Sequence, residues 1–313
     1  MTSLTSINDF YHIVTPTFMV YLSNPFLHKF TIKTNPMKTI LIPTDFSTNS
    51  KAGIRFALYL SSKTSCKLVF YSSIELVVPI RWHSGDAQRY IQRELDAAKN
   101  ELGKFLEEEI KKSSMASLNY DYEVESGANA STMIVAYAQN IGADFICMST
   151  RGAGVLKKII GTTTSTLIDT SPVPIFVIPQ NYRKAPIQKM SYASDLENYD
   201  EELSKVIDVA KLLDTPVELY HFKSKFDKEK TKLKLQKLQS RYPYITIITP
   251  QFRGEKTLLE KLKITTRKQK TSLLIMFSKF KTNWFERFFF SGFTAGMTFE
   301  LNVPLLAFPK QQK

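Results

Sequence analysis

The chain has 313 residues, 43% of them hydrophobic, and 42 lysines and arginines against 29 acids give a formal net charge of +13. That length suits about two domains of ~150 residues each with sizeable cores, and two cysteines, Cys66 and Cys147, exclude a disulfide framework. The positive charge is spread along helix-like segments such as KSKFDKEKTKLKLQKLQSR (223–241), where lysines alternate with leucines, so a solvated helix face explains it and no specific nucleic-acid binding is implied.

Residues 1–36 are apolar in patches (FYHIVTPTFMVYL) but broken by Pro16, Asn24, Pro25 and His28. No basic stretch precedes them and no run reaches the ~18 apolar residues of a membrane span, so they are expected to be a poorly ordered N-terminal extension. Next, KTILIP (38–43) reads as a buried strand. Gly53, Phe56, Ala57 and Leu60 then recur at helical spacing, on a helix that Ser47 or Thr48 is placed to cap. KLVFYSS (67–73) is a second strand and 87–112 a long charged helix. LNYDYEV (118–124) alternates as a third strand, before a helix with Met133, Ile134, Tyr137, Ala138 and Ile141 inward. DFICMS (144–149) and PIFVIP (174–179) complete five strands. Cys66 and Cys147 lie in apolar strand-like runs and read as buried, inert thiols in a reducing compartment, the cytoplasm.

The same plan then recurs. KTILIPTDFS (38–47) is echoed by KMSYASDLEN (189–198), with Asp195 answering Asp45, and SPVPIFVIP (171–179) by LNVPLLAFP (301–309), with Pro304 answering Pro174. The first pair lies 150 positions apart and the second 130, so the second copy is shorter by about 20 residues. Its elements are KMSYAS, a helix with Leu203, Val206, Ile207, Ala210 and Leu213 inward, VELYHF, a lysine-rich helix, YITIITP, a helix near 255–268, SLLIMFS and PLLAFP. Continuous apolar strands separated by helices predict an α/β fold of two tandem, doubly wound, five-stranded parallel-sheet domains, 37–182 and 187–313, joined by a polar linker. In such sheets ligands bind at the carboxyl ends of the strands, where the strand order reverses.

One stretch carries candidate chemistry: STRGAGVLKKIIGTTTS (149–165) leaves a buried strand, turns on small residues and enters a helix after Gly161. Glycine lets backbone approach a phosphate, and a helix N-terminus offers N–H groups to it. The stretch is neither a Walker loop nor a Rossmann fingerprint, since Lys157 stands where a third glycine belongs. With ILIPTDFS at the first strand and SPVPIFVIP at the last, it resembles the universal stress protein family, and both repeats, 37–309, share in the resemblance. ATP-binding members carry a G-x2-G-x9-G-[ST] loop. Here Ser149, Gly152, Gly161 and Thr162 occupy those positions, with serine for the first glycine and eight residues in the second interval.

The resemblance implies an adenine nucleotide hydrolase-like fold and an adenine nucleotide site, for ATP or AMP, with Mg2+ accompanying ATP. Pro43, Thr44 and Ser73 would line the adenine side, Asp45 would reach the ribose or a metal, and Met148 and Ser149 would border the nucleotide. Gly152, Gly161, Thr162 and Thr163 would hold phosphates, with Arg151 a further phosphate candidate. Asp45 has an equal structural reading, as a cap of the following helix. Lys157 and Lys158 read as solvated. In the second copy the corresponding segment, SKFKTNWFERFFFSGFTAG (278–296), has no counterpart of Gly152 and is crowded by Trp284, Phe285, Phe288, Phe289 and Phe290, so this domain is read as degenerate.

No nucleophile with a base and orienting acid is legible, and the four histidines form no ligand set, so catalytic and metal residues are assigned to none. The leading expectation is a cytoplasmic nucleotide-binding sensor whose ligand state changes its protein partners. A scaffold acting by protein contacts alone, a weak ATPase or phosphotransferase, and a basic nucleic-acid binder are the alternatives. Members of the resembled family pair through their last strands in many dimers, so PIFVIP is expected against PLLAFP, making the two repeats an internal pseudo-dimer.

Overall fold

Ile40, Leu41 and Ile42 of KTILIP are all buried, as a strand covered on both faces requires. In the computed structural model this segment, β1 (Lys38–Pro43), is followed by α1 (Lys51–Ser61), β2 (Cys66–Ile74), α2 (Ser84–Lys111), β3 (Tyr120–Ser126), α3 (Ala130–Asn140), β4 (Phe145–Ser149), α4 (Thr162–Thr170) and β5 (Ile175–Ile178). The second half continues with β6 (Met190–Ala193), α5 (Tyr199–Leu213), β7 (Val217–Tyr220), α6 (Lys228–Arg241), β8 (Thr246–Ile248), α7 (Leu258–Gln269), β9 (Leu273–Lys279) and β10 (Leu305–Lys310). The structure describes residues 38–113, 117–150, 162–183, 185–222, 228–279 and 303–310. The extension 1–36, the glycine loop 151–161 and the aromatic run 284–290 lie outside them.

The ten strands of the described residues form one sheet in the order β3-β2-β1-β4-β5-β10-β9-β6-β7-β8. Every neighbouring pair is parallel except β5 and β10, which run antiparallel with Val177 opposite Leu305, Phe176 opposite Leu306 and Ile175 opposite Ala307. The pairing expected between 174–179 and 304–309 is therefore the seam of the sheet. One apolar layer holds residues of α1, α2, α5 and α6 against one face of the sheet. The other holds residues of α3, α4 and α7 against the opposite face. Within each half the strand order reverses once, between β1 and β4 and between β6 and β9.

Local signals explain several helix starts. Asn129 caps α3 by accepting from Thr132 N–H at 3.0 Å, and Thr257 with Glu260 forms a capping box on α7. The first turn of α5 carries Asp200, Glu201 and Glu202, which suit the positive end of a helix dipole. The expected cap of α1 needs correction. The helix begins at Lys51 with Ser50 as its N-cap residue, and Ser50 makes no side-chain cap bond. Ser47 instead accepts from Ser50 N–H at 3.2 Å, because the chain completes two tight turns before the helix can start.

Candidate functional site

The turn from β1 to α1 is built from local side-chain bonds. Thr44 N–H continues the ladder to Tyr71 O at 2.9 Å. Phe46 takes a left-handed conformation (φ 59°), its N–H bonded to Thr44 Oγ1 at 3.2 Å, while Ser47 N–H donates to Asp45 Oδ1 at 3.2 Å. The β6-to-α5 turn repeats this bond for bond. Ser194 N–H meets Tyr220 O at 2.9 Å, Leu196 (φ 61°) donates to Ser194 Oγ at 3.1 Å, and Glu197 N–H donates to Asp195 Oδ1 at 3.0 Å. Asp45 thus makes a local Asx turn, like Asp195, and remains exposed at the strand tip.

Opposite this turn, across the β1–β4 switch point, β4 ends at Met148 and Ser149, both buried. The Ser149 hydroxyl accepts from Gly53 N–H at 2.9 Å and donates to Ser50 O at 3.1 Å. It therefore supplies, from a distant strand, the acceptor that the N-cap residue of α1 does not. The approach is close: a Cβ on Gly53 would meet Ser149 N at 3.0 Å and the Met148 backbone at 3.1 Å. A glycine inside an otherwise apolar helix was the sequence signal for this contact. Thr164, buried in the first turn of α4, donates its hydroxyl to Ser149 O at 3.2 Å.

Strand register shows where the second half departs. Ile40 of β1 lies opposite Phe145 of β4, and Met190 of β6 opposite Leu273 of β9. Counting forward, the place of Ser149 is held by Phe277, and the place of Gly53 by Leu203. Both are buried. The serine of SKFKTN, Ser278, falls one position further on, at the place of Thr150.

Of the sequence-assigned residues, Pro43, Thr44, Asp45, Ser73, Met148 and Ser149 gather at the carboxyl ends of three adjacent strands, β2, β1 and β4, and Thr163 enters α4 just beyond the loop. Arg151, Gly152 and Gly161 lie outside the described residues, as does the side chain of Thr162. The Thr44 hydroxyl is 2.9 Å from Ser50 Oγ, so it and Ser149 are occupied within the protein and offer a ligand chiefly their backbone. Serine in place of the first loop glycine is accommodated because its side chain is directed at α1. Beside Ser73, Tyr71 donates to Glu125 at 2.8 Å and stacks on Tyr137 with centroids 4.4 Å apart. Burial, then the Glu125 carboxylate, pushes the Tyr71 phenol well above its ordinary range, so it stays a neutral donor.

Among the described residues no group of three or more His, Cys, Asp or Glu is placed to hold a metal. Cys66 and Cys147 are buried free thiols whose pKa values are raised by burial. No helix of the described residues is long and apolar enough to cross a membrane.

A doubly wound α/β sheet whose motif residues meet at a switch point defines a class of ligand-binding folds. Within that class, residues 36–179, a little under half of the chain, match the model of the universal stress protein family. No curated protein sequence matches the chain significantly. Among solved structures, a universal stress protein from Archaeoglobus fulgidus is similar over 87% of this chain and 98% of its own, at 16% identity and a TM-score of 0.59. A functionally unknown protein from Pseudomonas aeruginosa is similar over 88% of this chain and 93% of its own, at 16% identity and a TM-score of 0.55. At such identity the likeness shows the fold, and its extent exceeds either half alone.

Proposed function

We propose that the chain is a tandem universal stress protein, with domains 37–182 and 187–313, that binds an adenine nucleotide, ATP or AMP, in its first half as a sensor rather than as a catalyst. The observation that carries this reading is the meeting of Pro43, Thr44, Asp45, Ser73, Met148 and Ser149 at the switch point of the half that matches the family. The backbone of Pro43 and Thr44, with Ser73, borders the base. Asp45 projects from its turn toward ribose or a Mg2+ that accompanies ATP. Arg151, Gly152, Gly161, Thr162 and Thr163 are assigned to the phosphates, where the N-terminus of α4 favours negative charge. A bound nucleotide would add negative charge at this site and so change what a protein partner meets. The free, buried thiols suit a cytoplasmic location, and the antiparallel β5–β10 pairing supports reading the two halves as an internal pseudo-dimer.

Titration of the full chain with a fluorescent ATP analogue tests the reading, alongside mass spectrometry of any ligand that co-purifies. Saturable binding that is lost in Gly161→Val and displaced by ATP or AMP is expected. If wild-type protein binds no analogue and carries no nucleotide, a scaffold acting through protein contacts takes its place.

A further inference from the structure

α4 starts immediately after the glycine loop, yet it does not rest on the first half alone. It packs against β5, β9 and β10, so it straddles the seam between the halves. Thr164, Ser165, Leu167, Ile168 and Asp169 are all buried there. Its first turn is tied to β4 through Thr164 Oγ1 and Ser149 O. Its last turn has a defect written into the sequence. The carbonyl of Ile168 is one of those that a helix end leaves open, and the chain cannot extend the helix to meet it because the residue four further on, Pro172, has no N–H. The second half supplies a donor instead: Ser278 Oγ, at the end of β9 and 1% exposed, lies 3.2 Å from Ile168 O. The same hydroxyl lies 3.3 Å from Phe308 O of β10, so one proton bridges a helix of the first half and a strand of the second.

We propose that Ser278 is a positioning residue: from the second half it braces α4, and through α4 it holds the phosphate end of the first half's site. A half without a glycine loop of its own would then still set the affinity of the other. The link to affinity rests on the nucleotide reading above; the brace itself does not.

The test uses the full chain as wild type, Ser278→Ala and Ser278→Thr, with two readouts. Amide hydrogen exchange of the α4 peptide reports the brace. Titration with the fluorescent ATP analogue reports the site. Removal of one buried hydrogen bond should speed α4 exchange and weaken binding about fivefold in Ser278→Ala, and Ser278→Thr, which keeps the hydroxyl, should restore both. Unchanged α4 exchange in Ser278→Ala overturns the brace. Faster exchange with unchanged affinity overturns its connection to the site. If the wild type binds no nucleotide, the functional reading falls with that connection, and the exchange result alone decides the brace.

Discussion

The turns from β1 to α1 and from β6 to α5 share three bonds, including that of the left-handed residue and the aspartate Asx turn. What meets the helix behind each turn does not match. In the first half Gly53 and Ser149 bring α1 against the end of β4 and join them by a hydrogen bond. In the second, the equivalent places hold Leu203 and Phe277, and Phe277 stacks on Phe308 with centroids 5.0 Å apart. A turn made of local bonds survives divergence because each residue answers only to near neighbours. A helix–strand contact can change hands only when both sides change together, here from small and polar to large and apolar.

That contrast is broken most sharply at its centre. Phe277→Ala should cost about 3–4 kcal/mol, the range for emptying a buried aromatic site, whereas Ser149→Ala should cost about 1–2 kcal/mol by leaving Gly53 N–H unpaired. Urea unfolding of the two variants checks the order, and equal losses would mean the two contacts are not alternative solutions.

The ties to the next helix along offer a second, smaller contrast. Glu109 of α2 is buried against Lys51 of α1 at 2.9 Å and Lys112 at 2.8 Å, while the α5–α6 tie, Asp200 to Arg241 at 3.0 Å, is exposed. Burial pushes the Glu109 carboxyl up, but the hydrogen bonds and charges of Lys112 and Lys51 outweigh it and hold it below the usual carboxylate range. A depressed carboxylate stabilises the fold above the unfolded-state pKa and loses that contribution as pH falls through the folded-state value. Glu109→Gln should therefore cost about 2 kcal/mol at pH 7, with the difference from wild type shrinking below about pH 4. Asp200→Asn, which breaks an exposed pair, should change stability by less than about 0.5 kcal/mol at pH 7. Thermal melts across pH 3–7 discriminate.

The smallest effect addresses the shared turn. Asp45→Ala and Asp195→Ala should each destabilise by under about 1 kcal/mol, as the loss of one local turn or cap bond does. Only Asp45→Ala should also abolish binding of the ATP analogue. Equal effects on binding would reduce Asp45 to its turn.

The sequence alone made the strand runs and the α/β class legible, because buried parallel strands write continuous apolar runs. It also located the strand tips at Pro43–Asp45 and Met148–Ser149, since motif and strand end coincide there. The start of α1 was not legible: Ser47, Thr48 and Ser50 are equally good caps as letters, and the acceptor that matters, Ser149, is 96 residues from Gly53. Nor was the one-residue shift that sets Phe277 rather than Ser278 against the place of Ser149, because only backbone pairing with β6 fixes which face a residue takes. Composition and period decide which segments become strands and helices, for these depend on near neighbours. Which hydroxyl completes which helix, and that a serine of the second half stands in for the N–H missing at Pro172, is decided only when distant strands share one sheet.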